Sequence, residues 1–79
     1  MSARLVFLGR LEDVAGTSQL DVAVGPLQRV LATLDPNLAV ALLEDRVRVA
    51  LNGALLSERG GIVLEDGDEL AFLPPVSGG

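Results

Sequence analysis

Carboxylates and glycines are the first places to look for chemistry in this sequence. Glu65, Asp66, Asp68 and Glu69 set four acids around Gly67 in the stretch EDGDE. Such a cluster suggests calcium, but a calcium loop spaces its oxygen ligands at alternate positions over about twelve residues and ends in a bidentate Glu, and that spacing is missing. Asp66-Gly67 instead has the composition of a tight turn: the glycine supplies a positive φ and the acids face water. Gly9 and Gly16 make no phosphate loop, since no Gly-Lys-Ser/Thr follows. The chain has no histidine and no cysteine. No serine therefore has an imidazole to activate it, no disulfide is available, and no metal site is expected. All six basic residues are arginines, which leaves no side-chain amine for a Schiff base and no acceptor for an isopeptide bond. Acid–base or nucleophilic catalysis by this chain alone is not expected. If it enters covalent chemistry through an acyl or amide link, its contribution is a carboxyl group.

The last residues, LPPVSGG from Leu73 to Gly79, place one carboxyl group in a suggestive setting. Pro74 and Pro75 favour an extended, polyproline-like exit, while Gly78 and Gly79 have no side chains to obstruct a narrow channel. Six extended residues reach about 20 Å. The expected organisation is a domain over residues 1–73 and a tail over 74–79. Pro74, Pro75, Val76, Ser77 and Gly78 would be the inserted segment, carrying the Gly79 carboxylate into a site on another protein.

The elements that must position this tail can be read from hydrophobic periodicity. Arg4 to Leu8 (RLVFL) reads as a strand buried on both faces, and the stretch between Gly9 and Gly16 has room for one helical turn. SQLDVAV alternates, with Leu20, Val22 and Val24 on one face of a half-buried strand. Pro26 suits a first helical position, and Leu27, Val30, Leu31 and Leu34 form one apolar stripe behind it. Asp35 and Pro36 end that helix and start a shorter one, as cap and first residue. Val47, Val49 and Leu51 then alternate against Arg46, Arg48 and Ala50, and Asn52-Gly53 is a type I′ hairpin signal leading into a short strand. ELAFL is the last strand. A helix between two strand pairs, with one stripe to cover one sheet, predicts an α+β fold. A ubiquitin-like β-grasp is the compact solution: a mixed sheet packed on one face by a main helix, with a protruding, flexible Gly-Gly tail. A ferredoxin-like arrangement needs a second crossover helix, and residues 52–69 are too rich in turns to supply it.

If Leu5, Phe7, Val49, Leu51, Leu70 and Phe72 face the helix, the pleat sends Val6, Leu8, Ala50, Ala71 and Leu73 outward. An apolar outer face leading into the tail reads as a protein-binding patch, with Val6, Leu8, Ala71 and Leu73 as its candidate contacts. Other partners are disfavoured. The net charge is −5 and the arginines are scattered, so no basic stripe meets nucleic acid or an anionic membrane. No apolar run approaches a membrane span, and the N-terminus has no signal-peptide pattern, so a cytoplasmic protein is expected.

The stretch VRVALNGALLSERGGIVLEDGDELAFLPPVSGG resembles the C-terminal half of MoaD-type proteins, the small subunits of molybdopterin synthase, within the MoaD/ThiS family of ubiquitin-like sulfur carriers. Its asparagine turn, DGDE turn, AF strand and PPVxGG ending carry the likeness, and RLVFLGRLEDVAG resembles the family's first strand and helical turn. Residues 26–45 are only generically compatible. The resemblance implies a cycle. A ubiquitin-activating-like enzyme uses ATP to adenylate Gly79, and a persulfide sulfur displaces AMP to leave a thiocarboxylate. The tail then enters the large catalytic subunit, in an assembly of two small and two large subunits. Two sulfur transfers convert cyclic pyranopterin monophosphate into the dithiolene of molybdopterin. The chain itself would bind no cofactor and would be a sulfur donor rather than an enzyme. A carrier for another pathway, such as the thiamine type, or a ubiquitin-like protein modifier is the alternative; thiamine-type carriers tend to lack the Pro-Pro-Val present here.

Overall fold

Alternation decides the first strand. In the computed structural model, which describes residues 1–75, β1 (Ser2–Phe7) buries Ala3, Leu5 and Phe7 and turns Ser2, Arg4 and Val6 the other way. The strand expected at Arg4–Leu8 with both faces buried is thus corrected to one that buries a single face, because the helices lie on one side of the sheet. A helix α1 (Arg10–Ala15) follows and stops at Gly16, whose left-handed conformation (φ 77°, ψ 8°) lets its N–H return to the Glu12 carbonyl at 2.8 Å. The chain then runs back as β2 (Gln19–Ala23), antiparallel to β1. This is an edge strand. Val22 packs against the core, but Leu20, expected on the same buried face, stays 37% exposed.

Pro26 does not begin the next helix. Its ψ of 139° is extended, and with Gly25 it forms β3 (Gly25–Pro26). The helix α2 (Leu27–Ala32) starts one residue later, burying Leu27, Val30 and Leu31, with Leu34 half-buried beyond its end. Thr33 helps to end it, its hydroxyl donating to the Val30 carbonyl at 2.7 Å. The expected cap of the following helix, α3 (Pro36–Leu42), is present: Asp35 Oδ1 accepts from the Asn37 N–H at 2.8 Å, and Pro36 occupies the first turn. The cover of the sheet is therefore shared among short helices rather than carried by one long one.

A hairpin joins β4 (Arg48–Leu51) to β5 (Ala54–Leu56) through Asn52 (φ 51°) and Gly53 (φ 85°), both positive as the type I′ turn requires. Next, β6 (Val63–Leu64) pairs with β3 in a separate two-stranded ladder that hydrophobic periodicity does not announce. Finally β7 (Glu69–Leu73) inserts into the middle of the main sheet, parallel to β1 and antiparallel to β4. The strand order is β2-β1-β7-β4-β5. This is the expected α+β, mixed-sheet architecture.

The core lies between sheet and helices. Leu5, Phe7, Val49, Leu70 and Phe72 from the strands meet Leu11, Leu27, Val30, Leu31, Leu38 and Leu42 from the helices, and Leu64 from β6. Phe7 and Phe72 are register partners, with ring centroids 6.0 Å apart and planes at 17°. Fully burying each such side chain contributes about 1.5–3 kcal/mol. With no cysteine to form a disulfide, this packing carries the stability of a small domain.

Candidate functional site

The central position of β7 fixes where the chain leaves the sheet. Leu73 is its last residue, and Pro74 and Pro75 beyond it are half-buried. Pro74 lies over Gly9, where a Cβ added to the glycine would come within 2.8 Å of the proline Cγ. Gly9 also has φ 56° and ψ −137°, a combination open essentially to glycine alone. Glycine is required there twice, once by the backbone and once by the departing chain. Val76, Ser77, Gly78 and Gly79, with the reactive carboxylate expected of Gly79, lie outside the described residues.

The pleat and the registers together assemble the outer face of the sheet. Val6 stands opposite Ala71, Ala71 opposite Ala50, and Ala50 opposite Leu55, making one apolar row across four strands. One step toward the tail, Leu8 donates its N–H to the Phe72 carbonyl at 3.1 Å, and Leu73 faces Arg48. The four residues singled out from the sequence, Val6, Leu8, Ala71 and Leu73, are thus brought together beside the chain exit. Leu8 is 41% exposed and the others are half-buried. Leu55, 65% exposed, joins them without having been expected there. The two-residue turn contained the signal, since pairing Leu51 with Ala54 puts Leu55 opposite Ala50.

At the other end of the strands the same face becomes polar. Arg4 and Asp21 form an exposed ion pair at 3.3 Å, with Glu69 in register beside Arg4. The acids of the adjoining turn are engaged by the backbone. Asp66 Oδ1 accepts from the Ser2 N–H at 3.0 Å, and Asp68 Oδ2 accepts from the Glu65 N–H at 2.8 Å. Asn52 ties this turn to the hairpin: its amide donates to Asp68 Oδ1 at 3.0 Å, and its carbonyl oxygen accepts from the Glu69 N–H at 2.9 Å. The Asn52 amide and then the Glu65 N–H hold the Asp68 carboxyl below its ordinary value, since both favour the ionised form. Gly67 takes the positive φ, 85°, that the turn needs. Among the described residues, no three acids are grouped to hold a metal ion.

A cavity of about 370 Å³ opens between α2, α3 and the segment from Arg59 to Val63. Leu31, Leu42, Ile62 and Phe72 line it, and the Arg59 guanidinium closes the end of α3 by donating to the Leu42 and Leu43 carbonyls at 2.7 and 3.2 Å. Its lining is mainly aliphatic.

The sequence pattern of the ThiS family matches residues 5–79, nearly the whole chain. The protein belongs to the ThiS family. Among curated relatives it is similar to the molybdopterin synthase sulfur carrier subunit of Escherichia coli (strain K12), 33% identical over 81 residues that cover 96% of this chain and 98% of the relative. Among solved structures it is similar to SAMP1 from Haloferax volcanii, with a TM-score of 0.77, 28% identity and full coverage of both chains. A chain in the complex of subunits 1 and 2 of molybdopterin-converting factor from Helicobacter pylori 26695 superposes with a TM-score of 0.67 at 23% identity, again over both full lengths, a likeness of fold. The ThiS family member described here has the ubiquitin-like β-grasp fold, and among its described residues no helix is long and apolar enough to cross a membrane.

Proposed function

We propose that this chain is the sulfur carrier subunit of a molybdopterin synthase, acting in the cytoplasm. The observation that carries the reading is the 33% identity to the Escherichia coli sulfur carrier subunit, sustained over 98% of that protein's length. In the proposed cycle the Gly79 carboxylate attacks the α-phosphorus of ATP on an adenylating enzyme, and pyrophosphate leaves. The terminal sulfur of a persulfide then attacks the acyl carbon and expels AMP, and a thiol cleaves the resulting acyl disulfide to leave a thiocarboxylate. On the large subunit, that sulfur replaces oxygen on a carbon of cyclic pyranopterin monophosphate: in one delivery the carbon–oxygen bond to the cyclic phosphate breaks and opens the ring, and in the other a carbonyl oxygen leaves as water. Water hydrolyses the thioester, leaving sulfur on the pterin and restoring the carboxylate. Two such deliveries complete the dithiolene.

The chain's own residues dock and aim in this scheme. Val6, Leu8, Ala71 and Leu73, joined by Ala50 and Leu55, would form the dry contact, and Pro74 seated on Gly9 would set the direction of departure. Val76, Ser77 and Gly78 would thread the channel. Acid–base and anion-binding groups would come from the large subunit, so that this chain is a non-catalytic partner in a heterotetramer of two small and two large subunits.

A second reading, a ubiquitin-like protein modifier, is favoured by the likeness to SAMP1 at a TM-score of 0.77. There the same activated carboxyl would be joined to an amine of a target protein. Two measurements on one preparation separate the readings. Intact mass after incubation with the adenylating enzyme, ATP and a persulfide donor should show one oxygen exchanged for sulfur. Addition of the large subunit and cyclic pyranopterin monophosphate should then yield molybdopterin. A thiocarboxylate that forms but makes no molybdopterin would overturn the synthase reading.

A further inference from the structure

The charge on this protein is distributed along its strands. Glu65, Asp66, Asp68, Glu69 and Asp21 gather at the start of β7, where Arg4 is held by Asp21. At the opposite end, where the chain leaves, a cleft of about 330 Å³ is lined by Asp45, Arg46, Arg48, Pro74 and Pro75. Arg46 is held by Glu44 at 3.2 Å. Arg48, exposed and opposite Leu73, has no ion pair among the described residues. A chain of net charge −5 thus presents an unpaired guanidinium beside the tail and on the edge of the apolar face.

We infer that this cleft receives a single carboxylate side chain from the rim of the partner's tail channel, with Arg48 as its ion-pair partner. The inference rests on the proposed docking of the tail into a large subunit. Four features point to a protein carboxylate. The cleft is continuous with the apolar row and with the two prolines, so a surface that seats the outer face and takes the tail must also cover it. The opposite end of the strands, with Asp21, Glu65, Asp66, Asp68 and Glu69, repels acidic surfaces, so an acid at this rim is accepted in one orientation and refused in the reverse one. Fully extended, the four residues past Pro75 would span roughly 14 Å, which would set a nucleotide phosphate reacting at Gly79 well away from Arg48. Asp45 in the same lining disfavours a multiply charged anion and leaves room for one carboxylate.

The experiment follows association of the full-length chain with the large subunit by stopped flow, at low and high ionic strength. At low salt Arg48→Glu should slow association on the order of tenfold, and the difference should shrink as salt rises. Arg48→Gln should fall between wild type and Arg48→Glu, and Arg48→Lys should keep most of the rate. Arg29→Glu makes the same change in net charge on α2, behind the sheet, and should stay within about twofold of wild type. Thermal unfolding checks that each variant is folded. Equal slowing by Arg48→Glu and Arg29→Glu, or none by either, overturns the cleft while leaving the carrier reading intact. A wild-type chain that does not bind the large subunit overturns that reading, and the cleft's role with it.

Discussion

Two glycines bear on the proposed chemistry at the scale of single residues, and they do so for different reasons. Gly79 is a matter of reach. An alanine added after it leaves fold, patch and prolines unchanged but moves the reacting carbon by about 3.5 Å, and misplacements near 1 Å already cost about a hundredfold in rate. The extended protein, confirmed unprocessed by mass, should bind the large subunit with modest loss and yet make almost no molybdopterin. A wild-type rate would remove Gly79 from the centre of the mechanism. Gly9 is a matter of space and backbone. Gly9→Ala places a side chain 2.8 Å from the Pro74 ring and forces a φ of 56° with a ψ of −137°. It should lower stability in urea by about 1–3 kcal/mol and also slow sulfur transfer by tilting the tail. Gly16→Ala is the control, since Gly16 shares a positive φ, 77°, but has open space around it. If both variants transfer sulfur equally well, Pro74 does not aim the tail.

At the scale of elements, what the sequence revealed depended on whether a signal was local. Asn52-Gly53 announces its hairpin because two adjacent positive φ values are open to few residue pairs, and the turn then fixes the register through Ala50 and Leu55. The Asp35 cap is likewise written in neighbouring residues. The ladder of β3 and β6 is not local. Each strand has two residues, too few to show a period, and Pro26 reads more naturally as a helix start. The helix stripe through Leu34 overstated α2 because hydrophobic spacing cannot register the Thr33 hydroxyl turning back to the Val30 carbonyl. Apolar alternation on both sides of β1 also could not distinguish a face covered by helices from one left uncovered. The contact of Pro74 with Gly9, which joins the tail to the first loop, left no trace in the sequence pattern. The short ladder has a measurable role. Leu64 is 1% exposed, so Leu64→Ala should destabilise by about 2–5 kcal/mol, read from denaturant midpoints at constant m. Val63→Ala, at a side chain 54% exposed, should cost less than about 1 kcal/mol. Comparable losses would show that β6 does not anchor its segment to the core.

For the whole molecule, the proposed docking role of the apolar outer face is separable from folding, and one substitution can tell them apart. Leu8 is 41% exposed, so Leu8→Glu should leave circular dichroism and unfolding nearly unchanged. In a dry interface the same carboxylate would be buried without a partner, so binding to the large subunit should weaken by about 3–5 kcal/mol. Unchanged binding with unchanged folding would place the interface elsewhere. The position of β7 has a further, mechanical consequence. Because the tail grows from the central strand, a force applied to it acts along β7 and tries to slide that strand past β1 and β4 together. Ladder hydrogen bonds in antiparallel pairs lie across the strand axis, and those of parallel pairs slant across it, so both ladders are loaded in shear and must yield together rather than unzip bond by bond. Under the proposed docking, a partner would therefore draw the tail taut in its channel while the body of the domain remained a rigid stop at the channel mouth.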